Sequence, residues 1–127
     1  MTYLDAIRLI KRGDMFEVRH ALDGGLDPNF SNEIGTTILM LAAMEGKTPI
    51  VGLLIDYGAQ LDRVNSMRDS ALTLAAWFSH PKVVKLLLQR GASLDLIRKS
   101  GSFDSFMQWV EMYCGMTTEQ LTQVRSA

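Results

Sequence analysis

Three glycines stand at a fixed interval. Gly25, Gly58 and Gly91 are spaced by 33 residues, and their neighbours recur with them. Gly58-Ala59 returns as Gly91-Ala92, and Leu41-Ala42-Ala43 returns as Leu74-Ala75-Ala76. A fixed period of this length marks a chain built from stacked copies of one small unit. Such a unit cannot bury its apolar face alone, so it must pack on its neighbours. The stretch from Gly35 to Asp62 is the clearest copy: a short helix, a tight turn, a second helix and a glycine stop.

Taken in order, the chain divides into four units within one domain, 1–127. The first, 3–29, has Leu4, Ile7, Leu9 and Ile10 on one helix and Met15, Val18, Ala21 and Leu22 on the next, with Gly13 as the stop between them. Its many charges suit a terminal cap that meets water on one side. The second unit, 30–62, follows a finger of turn residues, Leu26 to Ile34. A Thr hydroxyl in Gly35-Thr36-Thr37 is available to cap its inner helix, which carries Leu39, Leu41, Ala42 and Ala43. Gly46 stops that helix, and Thr48-Pro49 starts the outer one, where a proline's missing N–H costs nothing. The third unit, 63–95, repeats the plan: a finger from Leu61 to Arg68, an inner helix over Ser70–Ala76, the turn Ser79-His80-Pro81 and an outer helix closed by Gly91. In the fourth, 96–127, the signature is lost. Leu94 to Ser100 reads as a finger, and Phe103, Phe106, Met107 and Val110 recur at helical spacing. Cys114-Gly115 ends that helix, and Thr117 or Thr118 caps a last one, with Gln120 completing a capping box for Thr117.

A length of 127 residues fits one domain. The net charge of −1 gives no electrostatic reason to expect nucleic acid or an anionic membrane. A single cysteine, Cys114, excludes an internal disulfide framework and fits a reducing compartment. No apolar run of signal-peptide or membrane-helix length is present. The expected location is cytoplasmic.

Gly35-Thr36-Thr37-Ile38-Leu39-Met40-Leu41-Ala42-Ala43-Met44-Glu45-Gly46, followed by Leu53-Leu54-Ile55-Asp56-Tyr57-Gly58-Ala59, resembles the ankyrin repeat. So does Ser70 to Ala76 followed by Val83 to Ala92. The resemblance covers essentially the whole chain, as two good repeats between two caps. It implies an all-α fold: an ankyrin-repeat solenoid of stacked helix-turn-helix units joined by β-turn fingers. One departure is plain. The family's Thr-Pro-Leu-His turn reads Thr37-Ile38-Leu39-Met40 and Ser70-Ala71-Leu72-Thr73, without Pro or His. In the family the His and Thr hydrogen-bond within and between repeats, so their loss bears on stability more than on fold.

The resemblance implies protein binding on a concave side lined by fingers and inner helices. Carried over unit by unit, the exposed positions are Glu33, Ile34, Thr36, Met44 and Glu45 in the second. The third offers Ser66, Met67, Asp69, Trp77 and Phe78. The fourth offers Lys99, Ser100, Ser102, Val110 and Glu111, and the first Lys11 and Arg12. Trp77 and Phe78 stand out. Two adjacent aromatics cannot both face the core of one helix, and Trp is the type most enriched at binding hot spots. The competing expectation is that Trp77 packs against the fourth unit near Trp109. Met44 and Met67 add adaptable contact surface.

No catalytic constellation accompanies this. His20 and His80 stand in different units with no Cys or carboxylate cluster, and His80 matches the family's structural turn histidine. There is no metal-ligand spacing, no nucleophile motif and no phosphate loop. The chain reads as a non-enzyme without cofactor or metal. Its expected partner is another protein, with no nucleic acid and no membrane, and the chain itself is a monomer or weak homodimer. The leading expectation is an inhibitor or immunity-type neutraliser of a toxin or effector. The alternatives are an adaptor or regulator of an endogenous cytosolic enzyme or transcription factor, and a homo-oligomerisation module.

Overall fold

In a computed structural model of the chain, residues 1–126 are described, and they form nine helices joined by turns. These are α1 (Tyr3–Arg12), α2 (Met15–Asp23), α3 (Ile38–Met44), α4 (Thr48–Asp56), α5 (Ala71–Trp77), α6 (Pro81–Gln89), α7 (Asp95–Lys99), α8 (Phe103–Tyr113) and α9 (Thr118–Ser126). The inner helices α1, α3 and α5 pack side by side, and the outer helices α2, α4 and α6 form a second layer behind them. The all-α stack expected from the 33-residue period is therefore present.

Local chemistry sets each helix start. Thr37 and Ser70, one period apart, cap α3 and α5 by accepting the N–H groups of Met40 and Thr73, each at 3.2 Å. The return half of each capping box comes from the residue three places on. Thr37 N–H donates to Met40 Sδ at 3.4 Å, and Ser70 N–H donates to Thr73 Oγ1 at 2.8 Å. Met40 and Thr73 thus supply the acceptors where the family turn carries histidine. α4 and α6 lack a side-chain cap and carry a proline in the first turn instead, Pro49 second in α4 and Pro81 first in α6.

The core runs through both layers. Ile10, Ile38, Leu39, Ile50, Leu54, Leu72 and Leu87 are fully buried, each contributing about 1.5–3 kcal/mol by leaving water. Ala42, Ala43 and Ala75 are buried as well, and their small side chains let neighbouring helices approach.

The fingers are ordered by two asparagines one period apart. Asn32 Oδ1 accepts the N–H groups of Ile34 and Thr36, at 3.1 and 2.9 Å. Asn65 Oδ1 accepts those of Met67 and Asp69, at 2.9 and 3.0 Å. The fingers are also tied together. Ser66 N–H donates to the Ile34 carbonyl at 2.8 Å, and Asn65 Nδ2 donates to Thr36 Oγ1 at 3.0 Å.

The fourth unit departs from the expected plan. Residues 94–100 are not a finger, because 95–99 form the short helix α7. α8 has 11 residues where α3 and α5 have 7. It packs against α6 and α7 more than against α5. The place where a further inner helix would lie beside α5 is therefore partly open. At the C-terminal end, Thr117 N–H donates to Gln120 Oε1 at 2.9 Å and Thr117 Oγ1 accepts from Gln120 N–H at 3.2 Å, the expected capping box. The side chain of Thr118, the alternative cap, lies outside the described residues.

Candidate functional site

The opening beside α5 is a groove of about 570 Å³. Its apolar lining comes from Ala76 and Trp77 of α5, Leu96 and Ile97 of α7, and Phe106 and Trp109 of α8. Arg68, Lys99 and the hydroxyl-bearing Thr73, Ser100, Ser102 and Ser105 complete it. No residue in that lining carries a carboxylate.

The rings are held in order along α8. Phe106 and Trp109 stack with centroids 6.4 Å apart, and Trp109 and Tyr113 follow at 6.0 Å. These residues recur at helical spacing, so they share one side of the helix. Arg98 of α7 lies over the ring of Phe103, 4.1 Å from its centroid, which ties α7 to the start of α8.

Trp77 is 82% exposed and Phe78 47% exposed. The expectation that Trp77 packs away against the fourth unit is therefore not met. Trp77 and Trp109 line the same groove, but Trp77 keeps most of its surface in water. Phe78 is the C-cap of α5, and Ser79 follows it in the left-handed conformation.

The other expected positions divide. Glu33, Ile34, Glu45, Ser66, Met67, Lys99, Ser100, Ser102 and Glu111 are exposed, as are Lys11 and Arg12 of the first unit. Thr36, Met44 and Asp69 are half-buried. Thr36 is occupied by Tyr3 and Asn65, and the Met44 carbonyl accepts from His80 Nε2 at 2.9 Å. Val110 corrects an expectation: it is fully buried. A 33-residue shift places it opposite Trp77, at a helix end. In the longer α8 the same shift lands inside the helix, on the side turned into the core. It offers no surface to a partner.

Eight of the twelve groove residues were not among the expected contacts, Arg68, Leu96, Ile97 and Trp109 among them. Leu96 and Ile97 were hidden by reading 94–100 as a finger. Trp109 carried a usable signal. Phe103, Phe106, Met107, Trp109, Val110 and Tyr113 make an apolar surface wider than the stripe one core-facing side of a helix needs.

Chemically, the region offers an apolar surface bordered by two cations and several hydroxyls. Among the described residues no group of three His, Cys, Asp or Glu is placed to hold a metal ion. His80 has a structural position, its Nε2 donating between units to the end of α3. Cys114 is buried at the end of α8, and that burial pushes its thiol up to about 11, so it is no nucleophile near neutral pH. No helix among the described residues is long and apolar enough to cross a membrane.

The family model for ankyrin repeats, in three copies, matches residues 6–98. The chain belongs to the ankyrin-repeat family. A curated relative, the inactive serine/threonine-protein kinase TEX14 of Bos taurus, is 38% identical over 50 residues. Those residues are 39% of this chain and span 3% of that protein's length. The ankyrin match ends at Arg98, close to where α7 and α8 leave the repeat plan. Ankyrin repeats are a protein–protein interaction architecture, and the exposed aromatics and the groove lie where the last matched repeat meets the divergent fourth unit.

Proposed function

We propose that this ankyrin protein is a non-catalytic binding module that captures a partner protein on the side lined by its inner helices and fingers. Trp77 is the anchor, and Phe78, Met67 and Ile34 extend the contact. The single observation that carries the reading is the 82% exposure of Trp77 beside an apolar groove. A tryptophan left in water at the rim of a groove forgoes the burial free energy that a partner would return to it. The fingers support the same reading, because their hydrogen-bonded ties hold Ile34 and Ser66 in a fixed relation before any partner arrives.

In this reading the protein acts by occlusion: it covers a partner's surface and performs no reaction there. That is the action of an inhibitor, and of an immunity-type neutraliser of a toxin or effector. The test is capture from the native cell, comparing the wild type with the Trp77→Ala/Phe78→Ala variant by mass spectrometry, with circular dichroism checking the fold. A partner captured by the wild type and lost by the folded variant supports the proposal. A partner kept by the variant overturns it.

A further inference from the structure

The geometry points to a partner segment of defined chemistry for the groove: an acidic peptide stretch carrying a bulky apolar side chain. This rests on the protein-binding reading above and narrows it. The floor is apolar and aromatic, made by Trp109, Phe106, Leu96 and Ile97, with Trp77 as one wall. Arg68 and Lys99 are exposed cations on its border. Two other exposed arginines are paired, Arg12 with Glu17 and Arg90 with Asp56. Among the described residues neither Arg68 nor Lys99 is held in an ion pair. The lining contains no carboxylate to neutralise them, although the protein as a whole has a net charge of −1. A local excess of positive charge around an apolar floor selects a ligand with an apolar anchor and flanking negative charge. A basic or neutral segment would leave both cations uncompensated.

Openness decides between a peptide and a small molecule. Small-molecule sites bury about 70–90% of their ligand. Here one wall is Trp77, itself 82% exposed, so the groove covers one side of whatever enters it. A protein partner brings its own second wall, whereas a free metabolite does not.

The chain's two tryptophans both line this groove, so their fluorescence reports its occupancy directly. The experiment selects displayed random twelve-residue peptides on the whole folded protein. The enriched peptides that lack tryptophan are then synthesised and titrated, with fluorescence as the readout. The expected result is enrichment of Asp and Glu beside Phe, Leu or Met, with a blue shift of tryptophan emission on binding. Arg68→Glu/Lys99→Glu should weaken these peptides roughly tenfold or more, while Arg90→Glu, just past the end of the outer helix α6, leaves their binding unchanged. Binding should also weaken as salt rises. Enriched peptides that are basic or uncharged, or that bind the charge-reversed variant equally well, overturn the acidic assignment. If the same peptides still depend on Trp77, the protein-binding reading survives that result. Peptides that bind without any change in tryptophan emission overturn the groove as the site. A groove occupied by a small molecule but by no peptide overturns both.

Discussion

At the scale of single residues, Asn65 carries more structure than its turn position suggests. It is buried, its carbonyl accepts two backbone N–H groups, and its amide donates to Thr36 of the preceding finger. Asn65→Ala should cost about 1–3 kcal/mol, since it strands two donors of a finger turn. Urea unfolding measures this, and a change near zero would mean that water replaces the side chain freely. Cys114 gives a second prediction. Burial raises its thiol to about 11, with Lys85 pulling weakly the other way. The folded protein therefore holds this proton through a window in which the unfolded chain releases it. Stability from this group is complete below the ordinary thiol value and is lost as pH rises from there toward about 11. At pH 8 the native thiol should react slowly with a disulfide reagent and become fast in denaturant, which an absorbance time course resolves. Asn65 shows where residue-level reading stops. A turn asparagine is visible in sequence, but the partner that makes it matter lies 29 residues away, on another finger. Trp77 was more legible, because an aromatic pair after two alanines has too few core positions to fill.

At the scale of elements, backbone conformation follows the 33-residue period more faithfully than sequence does. Positions 13, 46 and 79 all lie in the left-handed region, occupied by Gly13, Gly46 and Ser79. A non-glycine residue there costs about 1–2 kcal/mol, offset in part by the unfolded-state entropy that glycine adds. Ser79→Gly should therefore stabilise the protein by about 0.5–1 kcal/mol. Gly46→Ala should do the reverse and cost more, because its Cβ would sit 2.5 Å from Nδ1 of His80 and displace the ring that holds the end of α3. Thermal unfolding of the two variants checks both signs, and a destabilised Ser79→Gly would contradict the argument. The helix pairs of the second and third units were legible, because alanine pairs, prolines and glycine stops recur at one spacing. In the fourth unit the helix through Phe103, Phe106, Met107 and Val110 and the Thr117 cap were legible too, but α7 and the full length of α8 were not. Its α7 replaces a finger, and its longer α8 packs on α6 and α7. Tertiary contact, which no period records, set both and turned Val110 into the core.

At the scale of the whole molecule, the groove is a place where the stack is incomplete, and in the proposed function that incompleteness serves binding. A second copy of the chain is a poor occupant. In a two-fold dimer the patch would meet itself, bringing Arg68 and Lys99 against the same cations. The protein should sediment as a monomer across the micromolar range, and a mass that doubles with concentration, abolished by Trp77→Ala, would instead favour homodimerisation through this face. The most direct measurement is the calorimetric affinity of the captured partner for two variants. Trp77→Ala removes the anchor, and Phe16→Ala removes an aromatic that is even more exposed, at 87%, but belongs to the first unit. Both side chains stand in water, so neither change should alter folding stability by more than about 0.5 kcal/mol. The account predicts that Trp77→Ala weakens binding by about 2 kcal/mol or more, while Phe16→Ala leaves it unchanged. Equal losses, or a loss confined to Phe16→Ala, would contradict it and move the binding surface to the other end of the stack.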